Sequence, residues 1–280
     1  MADFVAELRQ QDDGIDLTIV NVALPTIRAD LRASPSQLEW VISAYMLSLA
    51  ALLIIAGSFG DLLGRKRIFL GGIAVFGAAS MAGGLAQNPG ELIAARVVQG
   101  VAAAAMIPQL LATFRAIFAH EERGKAFGIY GATLGFASAV GLIAGGALTD
   151  ADLFGWRWRS VFLVNVPIAL VTLVAAARAV PETRDPQAGH PDLAGATLLS
   201  ASILAIAYPL VEGRSHGWPG WGWLVLAAGF TGLVALGLLE QRRSHARVAP
   251  LLRPTLLRIP AFAAGLAVMA AFAAGLQGFS

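Results

Sequence analysis

Two ionisable residues interrupt long apolar stretches of this 280-residue chain: Asp16 in IDLTIVNVALPTI and Arg96 in LIAARVVQGVAAAA. A charged side chain in hydrocarbon is costly, so its presence there points to function by default. Asp16 lies 12 residues before Arg28, about 18 Å along a helix, which puts it near the middle of a bilayer. A carboxylate at that depth is suited to bind and release a proton, or to meet a cationic substrate, because desolvation disfavours its charged form. The alternative is a solvated acid at the start of a short first helix. Arg96 lies about 7–8 Å below one end of its helix, with Gln99 one turn further on. Either it acts inside the membrane or its guanidinium snorkels to the headgroups. The two depths differ by about 10 Å, so spacing alone predicts no ion pair between them.

A third constellation is the charged turn GSFGDLLGRKR, residues 57–67, between two apolar runs. Gly57, Gly60 and Gly64 permit close helix approach and a tight reversal. Asp61 is the lone acid beside Arg65, Lys66 and Arg67, placed to pair with a base or with the positive end of a helix. This is the pattern of an acid–base switch at a membrane surface. A plain cationic anchor would need neither the acid nor the glycines.

The elements that must carry these residues follow from hydropathy. Apolar residues make up 57% of the chain and charged residues 14%, and mean hydropathy is +0.69. A water-facing globule carries about 25% charge, so this chain lacks the polar surface to cover one. Apolar runs recur near residues 15–31, 40–59, 68–86, 92–114, 126–149, 160–180, 193–211, 221–239 and 259–280. Most are long enough to cross about 30 Å of hydrocarbon as helices, and too long to be barrel strands.

Lys and Arg orient these spans. With the N-terminus cytoplasmic, one side carries 13: Arg65, Lys66, Arg67, Arg115, Arg123, Lys125, Arg178, Arg184, Arg242, Arg243, Arg247, Arg253 and Arg258. The other carries 5: Arg28, Arg32, Arg157, Arg159 and Arg214. The positive-inside rule selects that orientation. All six tryptophans, Trp40, Trp156, Trp158, Trp218, Trp221 and Trp223, fall in or beside the external loops, where amphipathic rings sit among headgroups.

The motifs carry a resemblance. GSFGDLLGRKR resembles the loop 2–3 signature of the major facilitator superfamily, G-x-L-a-D-r-x-G-r-k, with Phe59 and Leu62 as departures. Arg96, Gln99 and Gly100 match a second signature of that superfamily, R-x-x-q-G. Asp16, Thr18, Asn21, Ala23 and Pro25 resemble the opening signature of the drug:proton antiporters, and WRSVFLVNVPIAL and PETR are similar to the same family. The resemblance implies a part in proton or substrate coupling for Arg96 and Gln99. GLIAGG resembles the antiporter signature G-P-x-x-G-G at Gly141, Gly145 and Gly146, but Leu142 stands where Pro is expected and Ala137 replaces an upstream Gly. That departure removes an intrinsic kink and leaves antiport and uniport both open. Close packing of small residues is the ordinary reading of these glycines.

The linker PETRDPQAGHPD is short, and two further apolar runs follow it, as in the fourteen-helix antiporters. The expectation is an all-α polytopic membrane protein: a polar segment 1–14, a six-helix bundle 15–181, and a linker 182–258 holding two extra helices, 193–211 and 221–239. Residues 259–280 would then begin a second bundle, and the chain would be an incomplete member of the family.

Enzymatic readings find no support. His120, His190, His216 and His245 lack metal-ligand spacing, HEER is not HExxH, and neither GxxxxGK nor a nucleophile elbow occurs. No cofactor is called for, and the basic loops hold too few clustered charges for nucleic acid. The expected function is proton-coupled export of small amphipathic or cationic compounds by alternating access, with protons, a small-molecule substrate and the lipid bilayer as partners. An importer or uniporter on the same fold, and a truncated membrane protein without transport, are the alternatives.

Overall fold

A computed structural model describes residue 20 and residues 23–150, 156–183, 192–213 and 217–243. Every regular element among them is an α-helix. α1 covers residues 23–31. It is followed by α2 (Pro35–Leu63), α3 (Arg65–Gly84), α4 (Pro89–Ile117), α5 (His120–Asp150), α6 (Arg159–Leu163), α7 (Asn165–Ala179), α8 (Leu193–Glu212) and α9 (Gly220–Arg243).

Local chemistry sets the helix ends. The Ser34 hydroxyl accepts from the Gln37 N–H at 3.2 Å, and the Gln37 side chain accepts from the Ser34 N–H at 2.9 Å. This capping box starts α2, with Pro35 in the first turn where its missing N–H is harmless. At the start of α4 the Asn88 side chain accepts from the Glu91 N–H at 3.0 Å, with Pro89 in the first turn. Such caps carry the helices past their apolar runs, so the run 40–59 becomes Pro35–Leu63. That helix is about 43 Å long, more than the ~30 Å of hydrocarbon, and its polar ends reach the headgroups. The run 160–180 is divided at Val164 into α6 and α7. Pro167 has no N–H to give the Leu163 carbonyl four residues back, which explains a break there.

Among the described residues six stretches are long and apolar enough to cross a membrane: α2, α3, α4, the joined Arg159–Ala179, Ala194–Glu212 and Gly220–Leu239. The burial pattern is that of a protein in lipid. Arg96, Gln99, Gln109, Ser80 and Thr172 are buried, while Leu224, Val234 and Phe230 are 73%, 63% and 58% exposed. In water that arrangement would place large apolar faces against solvent.

α4 lies between α2 and α3; α3 carries α6 and α7, α8 packs on α2, and α9 packs on α8. One apolar cluster joins Ile27, Val41, Leu92, Trp158 and Phe162, at what is here termed the Trp158 end. A second runs from Tyr45 through Phe76, Ala103 and Met106 to Ala176 and Val180, towards the opposite, Asp61 end.

Candidate functional site

Arg96 is wholly buried. The helical spacing of three sets Gln99 beside it on α4, and its Nη1 donates to Gln99 Oε1 at 3.0 Å. Its Nε donates to the Val41 carbonyl of α2 at 3.0 Å, and the guanidinium lies 4.4 Å from the centre of the Tyr45 ring. Gln99 Nε2 in turn donates to the Ser80 hydroxyl of α3 at 2.7 Å. The snorkelling alternative is therefore set aside: the head points into the bundle. Gly100 makes this possible, because a Cβ there would lie 2.4 Å from the Tyr45 carbonyl and 2.8 Å from Ser48 Cβ. A guanidinium presents a planar fork of donors that suits a carboxylate brought near it. Asp16, the acid named from the sequence, lies outside the described residues. Ser80 and Tyr45 were missed in the sequence; the one signal was a lone hydroxyl in the small-residue stretch FGAASMAGG.

The charged turn is arranged around Gly64, whose φ of 108° suits glycine. Asp61 accepts from Arg65 Nη2 at 2.8 Å and Nε at 3.0 Å, so the acid pairs with a base one turn away. The remaining partners come from the chain after α7. Glu182 Oε1 accepts from the Lys66 N–H at 3.1 Å, capping the start of α3, and Glu182 Oε2 lies 3.8 Å from Arg67. Lys66 Nζ donates to the Ala177 carbonyl at 2.7 Å, in the last turn of α7, where a helix end favours a cation. A Cβ at Gly64 would come within 2.8 Å of the Glu182 carboxylate. PETR was noted in the sequence, but not its contact with this turn, which is more than 100 residues distant along the chain. Glu182→Ala is expected to lower stability by about 1 kcal/mol through loss of this cap. The check is thermal unfolding in detergent, where the midpoint should fall by about 2–4 °C; an unchanged midpoint rejects the cap.

A Cβ on Gly57 would meet Pro108 Cβ at 3.5 Å, an ordinary contact, while a Cβ on Gly60 would overlap Gln109. Gln109 is buried and donates to the Ala56 carbonyl of α2 at 2.8 Å. It is a second polar tie between α2 and α4, unforeseen in the sequence. Beside it an apolar cavity of about 260 Å³ is lined by Leu52, Ile55, Ala56, Phe59, Leu63, Ile68, Val101 and Ala105. Gly141, Gly145 and Gly146 lie in the helical backbone of α5; their packing is outside the described residues.

At the Trp158 end the expectation of interfacial rings meets an exception. Trp158 is wholly buried, stacks edge-on with Phe162, and donates its indole N–H to Asp30 at 2.9 Å. Arg159 also bonds to Asp30 and donates to the Ala86 carbonyl at 3.1 Å. Asp30 lies beyond Arg28, outside the span. The Trp158 hydrogen bond, then the Arg159 one, hold its carboxyl below the usual carboxylate range. A depressed value means stability that is complete at neutral pH and is lost as pH falls through it, below about pH 4. Asp30→Ala leaves the buried indole N–H without its acceptor and is expected to cost about 1–3 kcal/mol at pH 7. Unfolding at pH 7 and pH 3.5 checks this: the gap from wild type should narrow in acid.

This arrangement has known relatives. The Major Facilitator Superfamily matches residues 13–280. The chain is 41% identical over 268 residues to the probable actinorhodin transporter of Streptomyces coelicolor, covering 96% of this chain and 46% of that one. It is 43% identical over 233 residues to the puromycin resistance protein pur8 of Streptomyces alboniger, covering 81% and 45%. The chain thus spans about half the length of the curated relatives it matches. Among solved structures, that of tetrameric PepTSo2 superposes with a TM-score of 0.59 at 17% identity, over 92% of this chain and 56% of the other, a likeness of fold. Nearly the whole chain is thus accounted for by one family of membrane transporters rather than enzymes: this multi-pass membrane protein belongs to the Major Facilitator Superfamily.

Proposed function

We propose that the protein serves proton-coupled export of small amphipathic or cationic compounds across the cell membrane, by alternating access. One observation carries the reading: a wholly buried Arg96, held by Gln99 and through it by Ser80, stands inside a lipid-crossing bundle. Two relatives above 40% identity, named for transport of actinorhodin and for puromycin resistance, support export as the direction. In this reading Arg96 and Gln99 couple proton to substrate, with Asp16 as the proton-carrying acid. The turn of Gly57, Asp61, Gly64, Arg65 and Lys66 opens and closes the cytoplasmic side. The N-terminus is cytoplasmic, as the Lys and Arg asymmetry favours, which makes the Trp158 end external.

The domain reading is proposed with it: a bundle to residue 181, two added helices (α8 and α9), and residues 259–280 opening a second bundle against which the first rocks. The test uses everted membrane vesicles with an acid lumen. Addition of ethidium, a small cationic amphipath, should alkalinise the lumen as drug enters and protons leave. A lumen pH indifferent to ethidium, puromycin and related cations would reject the exporter. Acidification on adding them would instead indicate import by symport.

A further inference from the structure

α8 is held on α2 at two heights. Near the Trp158 end, Trp40 Nε1 donates to Glu212 Oε2 at 2.6 Å, and the Ser36 hydroxyl donates to Glu212 Oε1 at 3.4 Å. The Trp40 and Tyr208 rings lie 5.7 Å apart beside them. Further along, Ser200 donates to the Ala51 carbonyl, and both residues are buried. Trp40 and Ala51 are about three turns apart and so share one face of α2, while Ser200 and Glu212 are separated by a similar rise on α8. Two anchors with matched spacing, about 16–18 Å apart, fix both the slide and the tilt of antiparallel helices.

α9 is locked to α8 in its turn. A Cβ on Gly229 would lie 2.7 Å from Ile206, and one on Gly232 would lie 2.3 Å from the Ser202 hydroxyl, so the helices touch backbone to backbone. The cavity-lining face of α2 adjoins α4 instead, where Gln109 donates to the Ala56 carbonyl. Parting α8 from α2 would strand Ser200 where lipid offers no replacement partner and would expose the Glu212–Trp40 bond to competing water.

We propose that the α8–α9 hairpin travels with α2 as one rigid body throughout the transport cycle. This rests on the transporter reading above. The chain has no cysteine, so nitroxide labels go only where they are placed. Glu39→Cys on α2 and Leu224→Cys on α9 are both exposed. In the labelled protein reconstituted in liposomes, the spin–spin distance should be single and unchanged between pH 5.5 and pH 8, with or without ethidium. A shift or second population of about one helical turn, ~5 Å, overturns the proposal. Adding Glu212→Gln and Ser200→Ala should broaden the distribution, and an unbroadened one also overturns it. Ethidium efflux from the same liposomes is read separately: a fixed distance with no efflux defeats the transporter reading and leaves the docking standing.

Discussion

Arg96→Lys is expected to lower the initial rate of ethidium export about 10–100-fold at matched expression, with the protein still folded and inserted. An ammonium is a point charge and cannot reproduce the planar fork that reaches Val41 and Gln99 while lying on the Tyr45 ring. A hydrogen bond from a charged donor contributes about 1.5–3 kcal/mol, and 1.4 kcal/mol is a factor of ten. Loss of one such bond, if it is used as the site changes state, accounts for the expected range. Wild-type efflux from the Lys variant would remove Arg96 from the coupling and leave it a packing residue. Asp16→Asn makes a companion test, since it deletes the proposed proton carrier without adding bulk. Efflux driven by a pH gradient should be lost while ethidium exchange at equal pH persists, and unchanged gradient-driven efflux would exclude Asp16.

Gly100→Leu should act on the fold itself. Its Cβ alone would sit 2.4 Å from a main-chain oxygen of α2, and a backbone atom cannot rotate away as a side chain can. Overpacking commonly costs about 1–3 kcal/mol, and a clash of two helix backbones belongs at or above the top of that range. α2 and α4 would separate where Arg96 crosses between them, so the ties to Val41 and Ala56 would be lost together. The expected result is a sharp fall in the monodisperse fraction extracted in detergent. A variant with wild-type yield and thermal midpoint would show that α2 and α4 do not meet at this glycine. Gly100 entered as one letter of a family signature; its physical duty is to be small where two main chains touch.

What neighbouring residues dictate and what distant segments dictate part along a physical line. The helices at Pro35–Leu63, Arg65–Gly84 and Pro89–Ile117 could be anticipated from hydropathy, which acts over neighbouring positions, although each starts before its apolar run at 40–59, 68–86 or 92–114. Asp61 beside Arg65 was foreseeable for the same reason, since they are four residues apart across the tight turn at Gly64. Glu182 at the start of α3 was not, because the chain between them folds through five helices, α3 to α7, before returning. Gln109 and Ser80 were passed over as ordinary polar residues in apolar runs, and only the facing helix reveals what each one bonds. Trp158 shows the opposite error: composition put it among the headgroups, whereas Asp30 supplied an acceptor and a place inside.

By itself, the order of residues determined that this chain crosses lipid repeatedly as helices and which family it joins. Tertiary structure alone decided that Arg96 points inward to Gln99 and Tyr45, that the chain after α7 clasps the charged turn, and that α8 covers one side of α2. The reason is range: burying a polar group in hydrocarbon depends on which distant segment brings its partner, and no local pattern encodes that meeting.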